Sequence, residues 1–68
     1  MSKYDALWKF VQEDGRSSIR LSFVEIQNIT GVAIDHSFLR YKKDLIKYGY
    51  EVGKISMKEQ IILFHKMN

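Results

Sequence analysis

The sequence has no cysteine and no proline, and only two of its 68 residues are histidine. Without cysteine the chain can form neither a disulfide nor a thiolate metal site. His36 and His65 are far apart and lack a carboxylate at ligand spacing, so they do not form the pattern of a metal site. No glycine-rich phosphate loop, G-x-S-x-G sequence or H-x-x-E arrangement occurs. We therefore expect no catalytic activity, no metal or cofactor, and no small-molecule substrate.

Long apolar stretches are missing as well. No run of 18 apolar residues occurs, and the first ten residues, MSKYDALWKF, lack the apolar region of a signal peptide. The sequence also contains no internal repeat, low-complexity tract or linker. These absences predict a single domain over residues 1–68 of a soluble, cytoplasmic protein with no membrane partner.

Apolar residues are plentiful, at 46% of the sequence with nine aromatics among them. Ordering a chain costs about 1.5 kcal/mol per residue, and a domain this small has little surface with which to offset that cost. Hydrophobic burial must therefore stabilise the fold. A homodimer interface could add to the burial, and the sequence leaves that possibility open.

A first helix is predicted by apolar residues at helical spacing near the start of the chain. These residues are Tyr4, Leu7, Trp8 and Val11. Ser2 with Asp5 is the candidate cap of this helix, and Gly15 follows its end. Ile19 and Leu21 then alternate with polar residues, which predicts a short strand with one buried face.

A second helix is predicted from Ser22 to Gly31. Ser22 and Glu25 have the spacing of a capping box, and Gly31 is placed to end the helix in a left-handed conformation. The predicted core face consists of Phe23, Ile26 and Ile29.

A third helix is predicted from a Ser37 cap to a Gly49 stop. At about 100° per residue, one broad arc of this helix is apolar. Its members are Phe38, Leu39, Tyr41, Leu45, Ile46 and Tyr48. Lys42 falls within this arc, where its stem is expected to cover the edge of the core. A narrow basic stripe lies opposite and consists of His36, Arg40, Lys43 and Lys47.

Two strands are predicted at the C-terminal end, from Tyr50 to Ile55 and from Gln60 to Lys66. Alternation places Val52, Ile62 and Phe64 on the inner face of this hairpin. The expected fold class is α+β, with the element order α1-β1-α2-α3-β2-β3.

The stretch EIQNITGV followed by FLRYKKDL resembles the helix-turn-helix of bacterial winged-helix regulators. The matches in type and order are Glu25-Ile26, Thr30-Gly31-Val32, Ser37, Phe38, Arg40 and Leu45. From Gly31 onward, each match lies one residue further along the chain than in the pattern of those regulators. The resemblance implies a winged helix-turn-helix in which the second and third helices form the DNA-reading motif and the hairpin forms the wing.

The whole chain also resembles a small bacterial domain family of unknown function. That family typically shows K-Y-x-x-L, then L-[ST]-F-x-E-I-x-x-I-x-G, then G-[YW]-x-V before a strand with phenylalanine. The matches here are Lys3-Tyr4 with Leu7, Leu21 to Gly31, Gly49 to Val52, and Phe64. The tryptophan-rich segment of the family is absent. This resemblance implies a fold more than an activity.

The charge distribution favours binding of double-stranded DNA, as by a regulator. Residues 1–35 have a net charge of −1, whereas residues 36–68 have a net charge of +4. Arg40 is the candidate for reading a guanine edge, and the lysines are candidates for phosphate contacts. The full candidate set is His36, Ser37, Arg40, Lys43, Lys47, Lys54 and Lys58. Both the helical stripe and the hairpin lysines also have a purely structural interpretation. Basic side chains commonly cover the solvent-exposed face of a helix, and lysines commonly protect an exposed strand edge against aggregation.

A second interpretation is a non-catalytic protein-interaction module or accessory protein on the same fold. Phe10 and Ile61 fall off the predicted apolar faces and could form a partner or dimer patch. The aromatic residues could also stack single-stranded bases. Their helical and strand spacing places most of them in the core instead.

Overall fold

The computed structural model of the protein describes residues 3–67. Its helices are α1 (Asp5–Asp14), α2 (Phe23–Thr30) and α3 (Ser37–Tyr41), and a 3₁₀ helix (Lys42–Tyr48) continues α3. Its strands are β1 (Ser18–Ser22), β2 (Tyr50–Ser56) and β3 (Ile61–Lys66). The predicted α+β class and element order are confirmed. Ser2, the candidate cap of α1, lies outside the described residues.

The three strands form one antiparallel sheet in the order β1-β3-β2. Opposite Phe64 of β3 lies Ile19 on one side and Val52 on the other, and Ile62 likewise lies between Leu21 and Ile55. Because side chains alternate between faces along a strand, these residues share the inner face of the sheet. The prediction that the hairpin turns this face to the core is confirmed, since Ile62 and Phe64 are fully buried.

The core lies between this inner face and the helices. Its buried members are Tyr4, Leu7, Trp8, Val11, Ile19, Leu21, Ile26, Phe38, Leu45, Tyr50, Ile62 and Phe64. All four residues predicted for the inner stripe of α1 are among them. On α2, Ile26 is buried and Phe23 and Ile29 pack against the core at partial exposure. The predicted core face of α2 is therefore confirmed.

The predicted ends of α2 are also confirmed. The backbone N–H of Glu25 donates to the Ser22 hydroxyl at 3.0 Å, and the Ser22 N–H donates to the Glu25 carboxylate at 2.9 Å. This reciprocal pair is the capping box. Gly31 ends the helix at φ 78°, a left-handed conformation that glycine adopts without strain.

The cap of α3 differs from the prediction, because Asp35 and not Ser37 supplies it. The Ser37 N–H donates to Asp35 Oδ1 at 2.9 Å, and the Ser37 hydroxyl donates to the same oxygen. Ser37 is therefore a helical residue whose hydroxyl is committed to Asp35. An aspartate side chain readily accepts from a backbone N–H two residues later, which is how it caps a helix.

The predicted apolar arc of the third helix is wrong at two positions, since Leu39 is 57% exposed and Ile46 is 53% exposed. A 3₁₀ helix turns about 120° per residue, so residues three apart lie on one face. Leu45 and Tyr48 therefore share the inner face, whereas Ile46 falls in line with Lys43 outside it. Leu39 lies in the α-helical part, about 160° from the inward Tyr41.

Candidate functional site

The start of α3 is fixed to the start of α1 by contacts to Asp35. The Lys3 ammonium lies 2.6 Å from Asp35 Oδ2. The Tyr4 hydroxyl donates to Asp35 Oδ1 at 3.4 Å, and the Tyr4 ring meets the Phe38 ring edge-on at 5.3 Å between centroids. Polar and aromatic contacts thus hold the N-terminal end of α3 against α1.

The charge of Asp35 is compensated locally. The Lys3 ammonium, together with the hydroxyl and amide of Ser37, holds the pKa of the Asp35 carboxyl well below its usual range. The same ion pair raises the pKa of Lys3. Asp35 is therefore ionised near neutral pH, and the Lys3 ammonium balances its charge.

The predicted basic stripe is only partly continuous. His36 and Arg40 are four residues apart at the α-helical start, and Lys43 follows Arg40 by three, so these residues share one side of the helix. Lys47 lies in the 3₁₀ segment, where a spacing of four residues rotates it about 120° from Lys43. The structure therefore brings Arg40 and Lys43 together, beside Ile46, and turns Lys47 toward a flank. We call Arg40, Lys43 and Ile46 the outer face of the third helix.

Among the residues that the structure describes, the cations of this outer face have no acidic partner. Within residues 3–67, the ion pairs are Lys3 with Asp35 and Arg16 with Asp14. Arg40 and Lys43 are exposed and take part in neither. Unpaired, exposed cations are free to meet an external anion without first breaking an internal contact.

The two hairpin lysines lie in different places. Lys54 and Arg20 are both register partners of Leu63, on opposite sides of it. The neighbouring Ile55 packs on the core, so Lys54 points to the outer sheet face, away from the helices. Lys58 is exposed in the turn between β2 and β3. The sheet therefore separates Lys54 from the outer face of the third helix.

The remaining candidates of the sequence are scattered. Ser37 is half-buried and bonded to Asp35, so its hydroxyl is not a free surface group. Phe10 is 41% exposed on α1, whereas Ile61 is half-buried on β3. Most of the aromatic residues lie in the core or against it, as their spacing predicts.

An apolar groove of about 400 Å³ opens between the start of α3, the start of α2 and the end of β2. Six apolar side chains line it, with Asp35 and His36 beside them. The apolar members are Phe23, Ile34, Phe38, Leu39, Ile55 and Met57. We call it the α3–hairpin groove. The sequence did not reveal it because its walls come from three separate segments. The one sequence signal for it was the position of Leu39 at the edge of the predicted apolar arc, about 100° from Phe38.

The outer sheet face carries one further polar pair. The Ser18 hydroxyl lies 3.3 Å from His65 Nδ1, and the imidazole ring occupies the space where a Cβ on Gly53 would stand. The ring is therefore accommodated by the glycine at the β-bulge between Val52 and Lys54. The contacts of this pair account for it as a structural feature of the sheet.

Comparison with known proteins yields no relative: no family model, curated protein or solved structure matches the chain. Within residues 3–67, no three histidine, aspartate or glutamate side chains are grouped so that they could hold a metal ion. The same residues form no helix of the length and apolarity needed to cross a membrane.

Proposed function

We propose that the chain is a winged helix-turn-helix domain that binds double-stranded DNA. The element order is that of a winged helix, with α2 and α3 as the helix-turn-helix and the β2–β3 hairpin as the wing. The observation that carries the proposal is the outer face of the third helix, where Arg40 and Lys43 are exposed, lie three residues apart on one side of the helix and form no ion pair within residues 3–67. The net charge of +4 over residues 36–68 supports it.

The basic residues of the third helix and the hairpin have distinct roles in the proposal. The Arg40 guanidinium has the planar pair of donors that recognises a guanine edge in the major groove. Lys43 and Lys58 supply point charges for phosphates and set the position of the domain on the duplex. Lys47 and Lys54 point elsewhere and contribute long-range attraction alone.

A single domain of this size buries little surface on DNA. The proposed binding mode is therefore a dimer on two half-sites, as is usual for helix-turn-helix proteins. Affinity should fall steeply with salt, because phosphate contacts release counterions from the duplex.

Charge reversal on one face, with a matched reversal on another, tests the proposal. Arg40→Glu with Lys43→Glu removes the outer-face cations. Arg20→Glu with Lys54→Glu makes the same change of charge on the outer sheet face. In a mobility shift with mixed genomic fragments, we expect the first variant to lose binding and the second to retain most of it. Equal retention by both variants, or equal loss, would refute the assignment to the third helix.

A second candidate function is a protein-interaction module on the same fold. The α3–hairpin groove favours it, because two of its apolar side chains, Leu39 and Met57, are largely exposed. This function predicts a stable protein partner in a pull-down and no salt-sensitive retention on DNA. Recovery of nucleic acid without any protein would count against it.

A further inference from the structure

The start of the third helix depends on contacts outside the helix. α3 has only five residues before it continues as a 3₁₀ helix. A helix this short has few hydrogen bonds of its own, so contacts with the rest of the fold must hold it. Its first backbone bonds run from the Phe38 N–H to the Asp35 carbonyl at 3.0 Å and from the Leu39 N–H to the His36 carbonyl at 3.2 Å. The position of Arg40, which follows directly, therefore depends on what fixes residue 35.

Three donors converge on Oδ1 of Asp35. The Ser37 N–H donates to it at 2.9 Å, the Ser37 hydroxyl donates to the same oxygen, and the Tyr4 hydroxyl donates to it at 3.4 Å. The Tyr4 hydroxyl also accepts from the backbone N–H of Asp35 at 3.4 Å. Tyr4 is fully buried in the core. Oδ1 therefore ties the first residues of α3 to a side chain that the core holds in place.

The other carboxylate oxygen of Asp35 has a different part. Oδ2 lies 2.6 Å from the Lys3 ammonium, and both side chains are exposed. Exposed ion pairs stabilise a fold little, so this pair mainly balances the charge of the carboxylate. Without that balance, a negative charge beside a DNA-binding helix would repel phosphates. The two oxygens thus divide anchoring of the helix from compensation of the charge.

We infer that Asp35 is a positioning residue for DNA binding, whose Oδ1 holds the start of α3 in the conformation that presents Arg40 and Lys43 to the duplex. Asp35 itself does not contact the DNA. Without the anchor, the start of the helix would fray and binding would have to order it first. The affinity would then fall in proportion to the fraction of molecules in which the helix is formed. The inference rests on the proposed DNA binding and adds a residue outside the binding surface.

Two substitutions at one position separate the anchor from the charge. Asp35→Asn keeps an oxygen that can accept from the same donors, because asparagine caps helices about as well as aspartate. Asp35→Ala removes that oxygen. Both variants lose the same negative charge, so the electrostatic effect on DNA binding is the same in both.

Two further variants complete the set. Ser22→Ala removes the cap of α2 and leaves the bonds of Asp35 in place, so it controls for a general loss of stability. Tyr4→Phe is a milder change at the anchor, since it removes one donor to Oδ1 but keeps the buried ring and the net charge.

The experiment combines a mobility shift with mixed genomic DNA fragments at several salt concentrations and ¹⁵N heteronuclear NOE values of the free proteins. Amide spectra report that each variant is folded. We expect Asp35→Asn to bind at least as tightly as the wild type, since loss of a negative charge favours phosphates. Asp35→Ala should bind about fivefold more weakly than Asp35→Asn, as the loss of one helix cap implies.

The other readouts distinguish positioning from direct contact. The salt dependence of Asp35→Ala should equal that of Asp35→Asn, because the phosphate contacts are unchanged. The NOE values from Ser37 to Lys43 should fall in Asp35→Ala and stay at the wild-type level in Asp35→Asn. Tyr4→Phe should weaken binding by less than Asp35→Ala, and Ser22→Ala should bind like the wild type.

Equal affinities of Asp35→Asn and Asp35→Ala would overturn the inference and leave DNA binding through the third helix standing. An equally large loss in Ser22→Ala would assign the effect to general stability, which would also overturn it. Weaker binding by Asp35→Ala with unchanged NOE values would have the same consequence. Absence of binding by the wild type would instead refute the proposed function, and the role of Asp35 with it.

Discussion

Asp35 links two parts of the molecule through a single side chain. It caps α3 through the Ser37 N–H and holds the Lys3 ammonium at the other oxygen. These donors favour the ionised form, and the pKa of Asp35 is accordingly lowered. A lowered folded-state pKa stabilises the fold above the unfolded pKa of about 3.9, and this contribution is lost as pH falls toward the folded value.

Asp35→Asn should therefore destabilise the protein most at neutral pH, where the native carboxylate is ionised. Urea unfolding of the wild type and the variant between pH 7 and pH 2 gives the difference in unfolding free energy at each pH. We expect this difference to shrink in the acidic part of the range. Asp14 and Glu25 also have lowered pKa values, so only the difference isolates Asp35. A difference that does not change with pH would show that the charge of Asp35 has no part in stability.

Gly53 is a second position where one residue decides the local packing. A Cβ there would overlap Cδ2 of the His65 ring, so the imidazole must move before any side chain fits. Gly53→Ala should cost about 1–3 kcal/mol, as overpacking usually does. In a His65→Ala background the same change should be nearly neutral. The double-mutant cycle is measured by chemical denaturation, and additive effects would contradict the assigned contact.

At the scale of elements, the third helix is the least regular part of the fold. Five α-helical residues pass into seven 3₁₀ residues, and Gly49 ends the segment at φ 85°. The change of winding displaces Ile46 outward and turns Lys47 away from Lys43. The surface available to a partner is therefore set by the winding as well as by the order of residues.

Ser22 and Ser37, the predicted caps of the second and third helices, should differ in their effect on stability. Ser22→Ala removes the hydroxyl that accepts the Glu25 N–H and should cost about 1 kcal/mol of unfolding free energy. Ser37→Ala should cost clearly less, because the backbone N–H of residue 37 keeps its bond to Asp35. Urea denaturation at neutral pH compares the two variants. A larger loss for Ser37→Ala would contradict the assignment of Asp35 as the cap.

Local patterns in the sequence were sufficient to predict α1, α2 and the β2–β3 hairpin. The apolar spacing of α1 and the capping box of α2 depend on residues a few positions apart, so a sequence pattern can specify them. The inner face of the third helix could not be obtained in this way. Assuming 3.6 residues per turn misplaced Ile46 in the 3₁₀ segment, and Leu39 lay at the edge of an apolar arc that was drawn too broad. The α3–hairpin groove could not be predicted from the sequence either, because Phe23, Leu39 and Met57 come together only in the tertiary fold.

At the scale of the whole molecule, two different surfaces share the third helix. The outer face offers cations that form no ion pair among the described residues 3–67, and the α3–hairpin groove offers the exposed apolar side chains of Leu39 and Met57. The asymmetry of charge between residues 1–35 and 36–68 orients an approaching anion toward this side.

The most direct measurement is the salt dependence of DNA affinity for the wild type and two neutralised variants. Arg40→Gln with Lys43→Gln removes two proposed phosphate or base contacts, and Arg20→Gln with Lys54→Gln removes the same charges from the outer sheet face. The slope of log affinity against log salt should be smaller by about 1 for each bound domain of the first variant, because Lys43 is assigned to a phosphate and Arg40 to a base edge. It should stay near the wild-type value for the second. Equal slopes for all three proteins, or the larger change in the sheet variant, would contradict DNA binding through the third helix.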